Sequence, residues 1–82
     1  MYSIQFTKTA KKSLKKIPHE DTEIILRKIF SIQESPFRYL KKLQNSKLWR
    51  LRILKYRAVV DVVISRNNII VLRIGYRKKV YE

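Results

Sequence analysis

The stretch LWRLRILKYRAVV, residues 48–60, decides the fold. Trp49, Leu51 and Ile53 alternate with Arg50 and Arg52, the period-two pattern of a strand with one apolar face and one basic face. Beyond Leu54 and Lys55 the alternation resumes, with Tyr56, Ala58, Val60, Val62 and Ile64 on one side and Arg57 and Asp61 on the other. Two strands joined by a turn are therefore expected. Downstream, SRNN (residues 65–68) supplies turn residues, NIIVLRIGY (residues 68–76) reads as a last strand, and RKKVYE (residues 77–82) as a basic tail.

Upstream, Tyr2, Ile4 and Phe6 alternate with Ser3, Gln5 and Thr7 as a first, half-buried strand. Ala10, Leu14 and Ile17 then fall at helical spacing among lysines, predicting a helix capped by Thr7 and closed by Pro18. Glu20, Asp21 and Glu23 gather where a second helix begins near His19, since negative charge favours the positive end of a helix dipole. Its stripe of Ile25, Ile29 and Ile32 predicts a helix to about Glu34, ended by Ser35 and Pro36. Residues 37–47 read as a polar connection anchored by Leu43. The expected order is β-α-α-β-β-β, an α+β fold in which a helical hairpin packs on a small, mostly antiparallel sheet. One sheet face takes the helices. The other, carrying Arg50, Arg52 and Arg57, is expected to be open.

Eighty-two residues support one core, so residues 1–82 are read as a single domain. The chain carries 20 Lys and Arg against 6 Asp and Glu, a net charge of +14, and residues 38–82 hold thirteen of the bases and only two of the acids. Such an excess repels itself and implies a polyanionic partner, a nucleic acid or an acidic protein. The absence of cysteine excludes disulfides and thiolate metal sites. Neither a signal-like apolar run near Met1 nor about 18 consecutive apolar residues occurs, so a cytoplasmic protein with no membrane partner is expected.

Residues 48–77 contain six arginines and one lysine, and Asp61 is their only acid. One carboxylate cannot neutralise Arg50, Arg52, Arg57, Arg73 and Arg77 together. Guanidinium forks match phosphate oxygens and stack on bases, which favours a phosphate site over a merely solvated strand face. Tyr56, Tyr76 and Tyr81 interleave with them; the first two suit a core or cross-strand role, while Tyr81 in the tail suits stacking on a nucleotide. His19 is the only histidine, which excludes a histidine-pair ribonuclease, and its place beside Glu20 suits a helix start. No Ser-His-Asp set, acid cluster or glycine-rich loop is present, so neither metal nor cofactor is expected. Gly75, the only glycine, marks either a turn out of the last strand or a bulge.

LWRLRILKYRAVV followed by VLRIGYRKKVY (residues 71–81) resembles the RelE toxins, ribosome-dependent mRNA endonucleases of the RelE/ParE toxin–antitoxin superfamily. YSIQFTKTAKKSLKKI (residues 2–17) resembles that family's opening strand and helix, and the Ser-Pro after helix two is a frequent family feature. The resemblance implies the same β-α-α-β-β-β fold and metal-independent cleavage of mRNA in the ribosomal A site, by attack of the ribose 2′-hydroxyl on the adjacent phosphorus. By position it assigns catalysis to Arg50, Arg52, Arg57, Arg77 and Tyr81, with Tyr81 either a general base or a stacking platform. RNA contacts are expected from Lys8, Lys11, Lys12, Lys15, Lys55, Arg73, Lys78 and Lys79. The partners implied are an acidic, RelB-like antitoxin, mRNA and ribosomal RNA. Leu54 and Lys55 stand where relatives often have Gly-Asp. Two other functions stay open: a ParE-like toxin that acts on DNA gyrase, and a non-catalytic RNA-binding module.

Overall fold

Thr7 starts the first helix as its sequence position dictates: its hydroxyl accepts from the Ala10 N–H at 3.1 Å and donates to the Leu72 carbonyl at 2.7 Å. One side chain thus caps a helix and fixes it to the sheet. The computed structural model describes residues 1–76 of the chain. Strand β1 (Ser3–Phe6) leads into α1 (Lys8–Lys16) and α2 (His19–Ser31), and a 3-10 turn at Pro36–Arg38 leads into the short β2 (Lys41–Lys42). Strands β3 (Trp49–Ile53), β4 (Tyr56–Val63) and β5 (Asn68–Tyr76) follow.

The sheet order is β1-β5-β4-β3-β2. All neighbours are antiparallel except β1 and β5, which run parallel with Ser3 opposite Asn68. Helix α1 lies against β5 and β1, and α2 against β3, so both cover the same face. Ala10, Ile25, Ile29 and Ile32 meet Leu51, Ile53, Tyr56, Ala58, Val60, Ile69, Val71 and Ile74 there in one core, each at most 4% exposed. Thr22 ties the helix joint by donating its hydroxyl to the Leu14 carbonyl at 3.2 Å.

Three expectations need correction. Helix α2 stops at Ser31 rather than near Glu34: the Ile32 and Gln33 N–H groups donate to the Ile29 and Phe30 carbonyls, each at 3.4 Å, and these three-residue spacings tighten and end the helix. The 37–47 connection is not simply polar: it adds β2, and Pro36, Leu40 and Leu43 are all buried. Ile64 lies not on the apolar face of β4 but in a 3-10 turn, 63% exposed, because the strand ends at Val63.

Leu54 and Lys55 form the two-residue connection between the paired Ile53 and Tyr56, and Leu54 has φ of 56°. A side chain with a Cβ pays roughly 1–2 kcal/mol for the left-handed region, which glycine enters freely. Part of that gain is lost to glycine's freer unfolded chain. We expect Leu54→Gly to stabilise the protein by about 0.5–1 kcal/mol, a rise in Tm of roughly 3–6 °C by thermal circular dichroism. An unchanged or lower Tm would show that the turn carries no such strain.

Candidate functional site

The sheet face away from the helices holds the arginines. Arg52 sits directly opposite Arg57 across β3 and β4, and Arg57 sits opposite Gly75 across β4 and β5. Side chains so paired stand about 5 Å apart at Cβ, and like charges there are unfavourable in isolation. Gly75 offers no side chain to compete with Arg57 for space. Its φ is not positive, and the strand irregularity lies at Val59/Val60, so Gly75 is not a bulge; a turn out of the strand would fall outside the described residues.

The irregularity places Arg73. Val59 pairs with Arg73 but Val60 pairs with Val71, leaving Leu72 as an extra residue in β5. Val71 and Ile74 are buried, whereas Leu72 and Arg73 both turn away from the core. Had alternation continued from Ile69 and Val71, Arg73 would point beneath the helices; the bulge re-aims it to the arginine face.

That face is partly roofed. Val59 and Leu43 are 0% and 2% exposed and pack with Leu48 and Leu72 in a second small cluster, so the expectation of a fully open face is corrected. Residues 43–48 fold back over the sheet here, with the Leu43 N–H donating to the Leu48 carbonyl at 3.0 Å. Arg50 lies opposite Val59 beside this cover, and its Nε is sealed from solvent without a hydrogen-bond partner among the described residues. Such an orphaned donor costs about 1–3 kcal/mol until an acceptor reaches it. Neither Arg50 nor the exposed Arg52 makes an ion pair with a described carboxylate.

Lys8, Lys11, Lys12 and Lys15 are exposed on α1, on the opposite side of the sheet from the arginines. Lys55 is also set apart: its Nζ stands 5.8 Å from the Tyr56 ring centre and 5.5 Å from that of Tyr76, two rings stacked 5.2 Å apart on the core side. Arg77, Lys78, Lys79 and Tyr81 lie outside the described residues.

Sequence reasoning missed Lys41, opposite Arg50 on β2, because two residues are too few for alternation to be read. It also missed a recess of about 120 Å³ at the edge of β3, lined by Lys28, Tyr39, Lys41, Arg50, Leu51 and Arg52. Nothing along the chain links Lys28 on α2 with Arg52. Among the described residues no group of three or more His, Asp or Glu is placed to hold a metal ion, and no helix is long and apolar enough to cross a membrane.

Tyr56 is structural, as its place in the alternation implied. Its hydroxyl donates to Asp21 Oδ2 at 2.7 Å, and that bond, then burial, pushes its pKa up to about 12. The sign follows from proton binding: between pH 10 and 12 the unfolded chain releases this proton while the folded one keeps it, so the contribution is whole below about pH 10 and lost toward 12. The stability gap between the parent and Tyr56→Phe should therefore stay constant to about pH 10 and close above it. Urea unfolding at a series of pH values measures it; a gap that widens above pH 10 would contradict the Asp21 bond.

Residues 4–81 match the model of a family described as the ParE toxin of the type II toxin–antitoxin system, parDE. No curated protein matches the chain. Among solved structures, the fold is similar to that in the RelBE2 toxin–antitoxin complex of Mycobacterium tuberculosis, with a TM-score of 0.87 and 24% identity over 93% of this chain and 98% of that one. The intact RelBE complex of E. coli matches with a TM-score of 0.79 and 22% identity over 93% and 96% of the two chains. The RelB–RelE complex of Methanococcus jannaschii matches with a TM-score of 0.72 and 28% identity over 90% and 91%.

Proposed function

The chain belongs to the ParE toxin family of type II toxin–antitoxin systems, and within that family we propose that it acts as a ribosome-dependent endoribonuclease that cuts mRNA in the A site. One observation carries the reading: the register sets Arg52 against Arg57, beside the gap at Gly75, on the sheet face that the helices leave uncovered. Two arginines at directly opposed positions on one sheet face suit a ligand with concentrated negative charge.

In the reaction proposed, the 2′-oxygen forms a bond to phosphorus as the bond from phosphorus to the 5′-oxygen breaks. The 2′-hydroxyl proton passes to a base and the 5′-oxygen gains one, leaving a cyclic phosphate and a 5′-hydroxyl. Arg57 holds a non-bridging oxygen as charge grows there, a preorganised contribution of about 3–4 kcal/mol in comparable sites. Arg52 and Arg50 hold the flanking backbone, and Arg77 and Tyr81 are assigned to the same centre from the sequence pattern. No arginine serves well as the base, because its pKa exceeds 12. The lysines of α1 face away from this centre and are assigned to ribosomal RNA. A RelB-like acidic antitoxin is proposed as the neutralising partner, by analogy with the toxin–antitoxin complexes that share the fold.

The family's name favours a second reading, in which the protein acts on DNA gyrase without cutting RNA. The cluster of arginines speaks for cleavage. The purified protein is expected to cut mRNA on programmed ribosomes, mapped by primer extension, and to leave gyrase supercoiling unchanged. Blocked supercoiling with intact mRNA would replace the first reading by the second. Salt-sensitive RNA binding without products of either kind would leave only a binding module.

A further inference from the structure

We infer that the recess at the edge of β3 is a second nucleotide subsite, in which Lys28, Lys41, Arg50 and Arg52 hold a phosphate next to the scissile one and Tyr39 stacks the attached base. This rests on the RNA reading proposed above and extends it to Lys28, Tyr39 and Lys41, which the sequence did not single out.

Four of the six lining residues are cations and none is a carboxylate, so the recess selects an anion. Its volume of about 120 Å³ is well below the roughly 300 Å³ of sites that enclose a whole small molecule, so it fits one group of a longer polymer. Arg50 lines the recess and makes no ion pair with a described carboxylate, and its planar fork suits a phosphate oxyanion. Arg52 belongs both to this recess and to the cross-strand pair with Arg57, which makes the two sites neighbours along one backbone.

The aromatic element separates a nucleotide from a bare acid. Tyr39 is 44% exposed, although its neighbour Leu40 is 5% exposed, and the Lys28 Nζ lies 5.0 Å from its ring centre. A ring held at the rim of a cationic recess is the arrangement by which single-stranded nucleic acids are bound, with a base on the ring and a phosphate on the cations. The support is firm. Phe37 packs on Trp49 with ring centres 5.0 Å apart, the Lys42 Nζ lies 5.1 Å from the same Trp49 ring, and the Tyr39 N–H donates to the Pro36 carbonyl at 3.0 Å.

The test uses labelled RNA oligonucleotides of two to six residues, with binding followed by fluorescence anisotropy over a salt series. Tyr39→Ala is expected to weaken the hexanucleotide by about 10-fold, in keeping with one lost stacked base, and to leave the dinucleotide unaffected. Tyr39→Phe should bind as the parent does. Lys28→Gln should lower the slope of log K against log salt by about 0.7, one phosphate contact on a single strand. Circular dichroism verifies that each variant is folded. The subsite is overturned if Tyr39→Ala and Lys28→Gln bind the hexanucleotide like the parent while Arg57→Ala abolishes cleavage, an outcome that leaves the main reading intact. It is also overturned if the two variants lose affinity only for a glutamate-rich peptide, which would make the recess a protein contact. A parent that neither cuts mRNA nor binds any of the oligonucleotides removes both readings together.

Discussion

Arg57→Ala is expected to slow A-site cleavage by about 100- to 1,000-fold, the loss seen when one preorganised donor to a developing oxyanion is removed. The fold should survive the change. Arg57 is only half-buried and lies opposite Gly75 on the face away from the helices, so truncation opens no cavity in the main core. Arg57→Lys should recover the charge but not the rate, because an ammonium cannot present the two parallel donors of a guanidinium. Initial rates on programmed ribosomes measure the effect, with circular dichroism as the check on folding. Cleavage by Arg57→Ala at the parental rate would remove this residue from the chemistry.

The second large effect is on stability. Leu43→Ala should cost about 2–3 kcal/mol, since Leu43 is 2% exposed and fills the small cluster with Val59, Leu48 and Leu72 beneath residues 43–48. In a domain of this size that lowers Tm by roughly 10 °C or more, a large share of a typical 5–15 kcal/mol total. Lys47→Ala, an exposed change in the same cover, should move Tm by only a degree or two. Equal effects from the two substitutions would mean that the cover is held by something other than its apolar contacts.

Much of this architecture is legible in the chain because β1 and β3 keep one strict period. Trp49 to Ile53 and Tyr2 to Thr7 alternate cleanly, and Thr7, Pro18 and the acids near His19 mark the helix boundaries through local chemistry. Arg50, Arg52 and Arg57 were placed on one face by the same alternation. What escaped were features that depend on distant partners. The β5 bulge is visible only once Val59 and Val60 choose Arg73 and Val71 as neighbours, and that choice decides where Arg73 points. Val59 looks like any strand valine until Leu43 covers it. Asp21 reads as a helix-dipole residue, and its bond to Tyr56, 35 positions away, leaves no local trace. Arg77 and Tyr81 lie outside the described residues.

Among the described residues strand β1 pairs only with β5, across 65 positions of chain, and β5 lies between β1 and β4. Contacts of such long range form late and slowly, because a large loop must close before they repay its entropy. A nascent polypeptide therefore carries Ile4 and Phe6 without their sheet until residues 68–76 have emerged. For a molecule whose proposed target is RNA, the sheet that carries Arg52 and Arg57 is complete only once β5 has joined both β1 and β4.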